Sequence, residues 1–146
     1  MYAARFVGGV WQQTQVVYNG RDTSYSIYNA VPVTALDGAG NGMIVFNAVG
    51  TLMSVKLNGS TGVFSTATPI PSAGATAVSM KMDAQGDAYL LLLGSVRRYD
   101  ASTGVWGAPV PAGADQGDLP VLAVDSTGNA MVAWSSGGSI YFTRCH

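Results

Sequence analysis

The side chains best suited to act as nucleophile and general base at neutral pH stand at the end of this 146-residue chain, where the single cysteine, Cys145, precedes the single histidine, His146. Nucleophilic catalysis needs a base within hydrogen-bond reach of the nucleophile and a third group to orient that base. All eight acidic residues are aspartates, so glutamate is not available for acid–base work, and a triad would need an ordered His146. On these residue types no catalytic residue is assigned, and the expectation is a protein that is not an enzyme. The carboxylates suggest a second chemistry, cation binding, with Asp83 and Asp87 as the densest pair. Calcium, however, takes about six to eight oxygen ligands converging on one site. Asp37, Asp83 and Asp125 instead occur once each in a repeated turn motif, where a carboxylate closes the turn on its own backbone. No metal and no cofactor are expected.

A third chemistry is recognition. Arg5, Lys56, Arg98 and Arg144 each stand just before the last apolar or aromatic residue of a strand-like segment. Alternation along a strand puts these cations on one face, where they are expected to lie over the indole of the following segment, Trp11 or Trp106. The simpler reading is a structural stack. The functional reading joins Arg5 and Arg98 with Trp11 and Trp106 in pockets where a sugar stacks on indole and bonds to charged groups. Recognition residues are also sought where regularity breaks: Asn19 to Asn29 with Arg21, Asp22, Tyr25 and Tyr28; Ala112 to Asp118 with Asp115 and Asp118; and Ser135 to Gly138. Loops that vary on a repeating scaffold carry binding groups. Alternatively, the Asn19 to Asn29 segment packs against a second chain.

The elements that hold these residues follow from composition. Charged residues make up 10% of the chain and hydrophobic ones 48%, which excludes a disordered polyelectrolyte. Gly, Ser and Thr abound while the strong helix formers Glu and Lys are absent or scarce, so an all-β fold is expected. A net charge of −1 provides no footprint for a phosphate backbone, and nucleic acid is not expected as a partner. The longest apolar run, Ala88 to Leu93, is far short of the roughly 20 residues of a spanning helix, and no signal peptide is legible, so membrane insertion is not expected. One cysteine leaves the redox compartment open.

The dominant signal is repetition. Asp37-Gly-Ala-Gly-Asn41, Asp83-Ala-Gln-Gly-Asp87 and Asp125-Ser-Thr-Gly-Asn129 each join two apolar strands, with the leading aspartates 46 and 42 residues apart. Such a turn closes an antiparallel hairpin. A second hairpin type lies between the copies, as Tyr99-Asp100 through Gly104 to Trp106, Leu57-Asn58 through Gly62 to Phe64, and Arg5-Phe6 through Gly9 to Trp11. The unit is four strands, A to D, in the length of one propeller blade, about 40 to 50 residues. The predicted fold is therefore all-β, a β-propeller of about three four-stranded blades in one domain spanning 1–146. Within it, 1–30 forms a C/D half-blade and linker, 31–74 repeat 1, 75–117 repeat 2 and 118–146 an incomplete repeat 3. A propeller closes with about four or more blades, so homodimerisation into a ring of about six blades, alternatively about seven, is expected. The partners expected are a second copy of the chain, and a carbohydrate or protein.

The Asp-x-x-Gly-Asn hairpin at Asp125 to Asn129 and the Tyr2-Ala-Ala-Arg5-Phe6 to Trp11 hairpin resemble tandem repeats of bacterial secreted and cell-surface β-propeller proteins. The Tyr99-Asp100 to Trp106 hairpin is similar to a kelch repeat. The resemblance spans nearly the whole chain and implies a propeller in an extracellular or cell-envelope setting. It implies no shared catalytic residue. The half-blade ends are also similar to those of short lectin chains that assemble a propeller. The function expected is a non-enzymatic, self-assembling binding module of unknown ligand. The alternatives are a carbohydrate-binding lectin and part of a larger propeller enzyme.

Overall fold

The structure, a computed structural model, describes residues 1–20, 31–48, 50–71, 75–113 and 118–145. The N-terminal segment forms two short ribbons: β1 (Tyr2–Ala3) pairs with β4 (Gln15–Val16), and β2 (Phe6–Val7) with β3 (Val10–Trp11). The first blade is β5 (Val33–Leu36), β6 (Gly42–Ala48), β7 (Thr51–Leu57) and β8 (Thr68–Pro69), hydrogen-bonded in that order. The second is β9 (Ala77–Met82), β10 (Ala88–Leu92) and β11 (Ser95–Asp100), whose outer edge takes both β12 (Val105–Trp106) and β13 (Val110–Pro111). The third sheet is β14 (Asp118–Val124), β15 (Ala130–Ser136) and β16 (Ser139–Cys145). All these ladders are antiparallel, and no helix occurs among the described residues.

The aspartate turns close as their residue types require. Asp37 Oδ1 accepts from the Ala39 and Asn41 amides at 2.8 and 2.9 Å. Asp83 Oδ1 accepts from Gln85 and Asp87, both at 3.0 Å, and Asp125 Oδ1 from Thr127 and Asn129, both at 2.9 Å. Gly40, Gly86 and Gly128 take φ of 81°, 85° and 88° at the fourth turn position, where a side chain would be strained. Asn58 and Asp100 cap the C/D turns in the same manner, each accepting from the amides two and three residues on.

Each sheet buries both faces only where it has a sheet on either side. Along β10 every residue is buried: Ala88, Leu90 and Leu92 join Met43, Val45 and Met80 in a core between the first two blades, while Tyr89 and Leu91 join Leu122, Ala130 and Val132 on the other side. A third cluster, with Val17, Phe46 and Val55, ties the N-terminal ribbons to the first blade. The innermost strands are neighbours, β9 lying between β5 and β14. This arrangement upholds an all-β, propeller-type stack of sheets. Val31 and Val121 are 70% and 62% exposed.

Candidate functional site

The repeating cations do not lie over the indoles. Tyr99 pairs in register with Trp106 and Phe6 with Trp11, so each Trp shares a face with the residue after the cation, and Arg98 and Arg5 point the other way. The rings pair among themselves, Tyr99 with Trp106 at 5.4 Å and Phe6 with Trp11 at 5.2 Å. The expected cation–indole stack is corrected on this geometry. Three of the four, Arg5, Lys56 and Arg98, instead work at a seam or within their sheet. Arg5 donates to the Gly59 carbonyl of the first blade at 3.0 Å. Arg98 pairs with Asp87 in the turn before the adjacent strand, and Lys56 of the first blade reaches the Tyr99 hydroxyl of the second at 3.2 Å, its Nζ 5.7 Å from the ring centroid.

The other expected site residues do not assemble into one place. Arg21, Asp22, Tyr25, Tyr28 and Asp115 lie outside the described residues. Asp118 opens β14 opposite Ser135. Trp11 is 68% exposed on the N-terminal ribbons, whereas Trp106 is half-buried in the second blade, its Nε1 enclosed without a hydrogen-bond partner. Among the described residues no group of three or more His, Cys, Asp or Glu stands close enough to hold a metal ion. Nor do they include a helix long and apolar enough to cross a membrane.

The structure adds a site that residue spacing did not single out. A groove of about 530 Å³ runs along the seam between the first two blades on the face carrying both turn types, lined by Asp37, Asn41, Lys56, Asn58, Gln85 and Tyr99 among others. Its wall joins polar groups of the aspartate and C/D turns to the apolar side chains of Met43, Leu57, Phe64 and Met82, and Asn41 Oδ1 braces the turns by accepting from the Gly59 amide at 2.9 Å. Tyr99 is 6% exposed, so Lys56 is the open half of the pair. The signal in the sequence was the lysine itself, which replaces the arginine of the other cation positions.

At the next seam a smaller cavity of about 280 Å³ is lined by Tyr89, Arg98, Thr127 and Asn129. Burial pushes the Tyr89 hydroxyl above the usual phenol range, opposed by nearby Arg98 and reinforced by Asp83. At the third turn, hydrogen bonds from Asn129 and Thr127 hold the Asp125 carboxyl well below the usual range.

No protein-family model matches the chain, and no curated protein matches it. Among solved structures it resembles selenomethionine-substituted virginiamycin B lyase from Staphylococcus aureus, with a TM-score of 0.51 and 14% identity over 78% of this chain and 41% of that one. The chain thus spans well under half the length of that protein. At this identity the likeness is one of fold, and the fold is of the β-propeller type. That propeller is a lyase, a finding that runs against two expectations, that the chain is not an enzyme and that it is a non-enzymatic binding module, and both are withdrawn, while the lyase activity is that protein's own.

Proposed function

We propose that the chain supplies consecutive blades of a propeller enzyme of the lyase type, with Lys56 and Tyr99 as its proton-transfer pair. The observation that carries this reading is the 3.2 Å hydrogen bond between the two side chains at the wall of the seam groove. An elimination needs one group to remove a proton from carbon and another to protonate the leaving atom as its bond to carbon breaks. With one proton removed from the pair, the Tyr99 oxygen takes the substrate proton and the Lys56 ammonium protonates the leaving group. Transfer from tyrosine to lysine along their shared hydrogen bond then restores the starting state, with no water and no redox partner consumed. Asp37, Asn41 and Asn58 provide polar groups around the pair for orienting a substrate. The same proposal takes the ring to be completed by a second copy of the chain, with about six blades if the N-terminal ribbons complete the third sheet, or about eight if β16 and the N-terminal strands all keep their places, because two identical copies contribute equally. The continuous β15–β16 ladder, from Ala130–Cys145 to Ser136–Ser139, supports the arrangement in which they do.

The test is turnover. Virginiamycin B, named as the substrate of the matching lyase, is incubated with the purified protein and its products weighed by mass spectrometry. The expected result is consumption without added water, slowed about 100-fold or more by Lys56→Met or Tyr99→Phe in folded protein. Turnover untouched by either substitution removes the pair from the chemistry. Absence of any consumption removes this substrate from the reading.

A further inference from the structure

We infer that the outward face of the third sheet docks head to tail on the outward face of the N-terminal ribbons of a second copy. This rests on the ring being completed by a second copy, and is independent of the chemistry at Lys56 and Tyr99. Cross-strand register identifies the equivalent positions, because Met43–Lys56, Tyr89–Arg98 and Met131–Arg144 are the same pair in three successive sheets. Met43 and Tyr89 are 2% and 6% exposed, each under the following sheet, whereas Met131 is 41% exposed. Two residues before the cation, Ser54 and Val96 are each 4% exposed, while Phe142 is 65%. Val121 and Ile140 complete a bare apolar face that the first two blades keep covered.

The covering half of that contact is present at the other end of the chain. What lies over Lys56 in the first seam is the Tyr99–Trp106 pair of the next blade. The N-terminal ribbons carry the equivalent pair, Phe6–Trp11, in the same cross-strand register. Among the described residues it is left largely open: Phe6 and Trp11 are 59% and 68% exposed, with Tyr2 and Val16 beside them at 73% and 59%. A face that is buried under an aromatic pair in the first blade and under the third sheet in the second, and an aromatic pair left open among the described residues, thus occur on one molecule. Apolar patches of this kind on a soluble protein mark an interface. Joining them reproduces the existing seam, with Arg144 over the Phe6 ring of the second copy as Lys56 stands over Tyr99. The contact joins unlike faces, so two copies close it twice about a two-fold axis.

The test is light scattering coupled to size exclusion on the whole chain, with Phe142→Asp and Trp11→Asp, and with Ile140→Lys and Tyr2→Lys as a milder pair at the most exposed positions should the first pair unfold. The wild-type chain is expected to associate. Each variant with unchanged circular dichroism should weaken association about 100-fold. An equimolar mixture of one head variant and one tail variant should regain part of it, because one junction then has both faces intact. A monomeric wild-type chain throughout the micromolar range overturns both the junction and the second-copy ring. An association indifferent to all four substitutions overturns the junction alone. Sensitivity at only one end, or no recovery on mixing, overturns the head-to-tail arrangement.

Discussion

Asp87, the last residue of the turn before β10, forms an ion pair with Arg98 of β11 at the one aspartate turn of the three that ends in a second carboxylate. In the first and third turns the last residue is Asn41 or Asn129, whose Nδ2 donates back to the leading aspartate at 2.9 or 2.8 Å. Asp87 has no such donor. Tyr89 takes over that role, its hydroxyl reaching Asp83 Oδ2 at 3.3 Å, while Arg98 and the Ala101 amide satisfy Asp87. The second blade therefore replaces a local amide bond with a network spanning two strands.

Replacing Arg98 with Ala should cost about 1 kcal/mol, the lower end for a charge pair because the Arg98 side chain is 57% exposed while Asp87 is 8%. Adding Asp87→Asn should recover most of this loss, since Asn can donate to Asp83 as its counterparts do. Urea unfolding of the single and double variants measures both effects, and a double variant no more stable than Arg98→Ala contradicts the exchange.

Tyr89→Phe leaves buried Asp83 one donor short and should cost about 1–2 kcal/mol. The control is Tyr141→Phe, at a position 48% exposed. Equal effects at the two sites would show that the Asp83 bond is not what holds Tyr89.

Leu90 is fully buried in the core shared by the first two blades. Leu90→Ala should destabilise by about 2–5 kcal/mol through the cavity it leaves. Leu93→Ala, 55% exposed just beyond the strand, should stay within about 0.5 kcal/mol. Thermal melts that fail to separate the two would mean that the seam contributes little to folding.

Gly40 and Gly128 both need a positive φ, so an alanine at either should cost about 1–2 kcal/mol. Only at Gly128 would the new methyl also meet the preceding blade, 2.5 Å from the Tyr89 hydroxyl and 3.1 Å from Asp83 Oδ2, whereas at Gly40 its nearest neighbour is 3.9 Å away. Gly128→Ala is therefore the more damaging, and comparable unfolding midpoints would argue against that seam.

Asp125 and Asp100 both titrate below the ordinary carboxyl range because hydroxyl, amide and backbone donors favour their charged forms. A lowered folded-state value adds stability that is complete above the unfolded carboxyl pKa of about 3.9 and is lost as pH falls through the folded value. Denaturant midpoints should accordingly decline as pH drops below about 4. Asp125→Asn should flatten that decline, and an unchanged slope would take the turn out of the acid response.

The hairpins and the propeller-type class were legible in the residues themselves, whereas four strands in one sheet occur in the first blade alone among the described residues, the second having five and the third three. Asp37, Asp83 and Asp125 bond to amides two and four residues away, so a five-residue motif contains every group its turn needs. The candidate site was not legible in this way. Lys56 and Tyr99 are 43 residues apart and meet only because two sheets pack face to face. Arg98 was assigned to an indole by its position on the strand, but the opposite pleat holds that indole and Asp87 holds the charge. The bare faces at Phe142 and Trp11 have the same residue types as covered ones elsewhere in the chain. Turn closure is a property of contiguous residues and their backbone donors, whereas a seam, a groove or an uncovered face exists only once separate sheets have taken positions against one another.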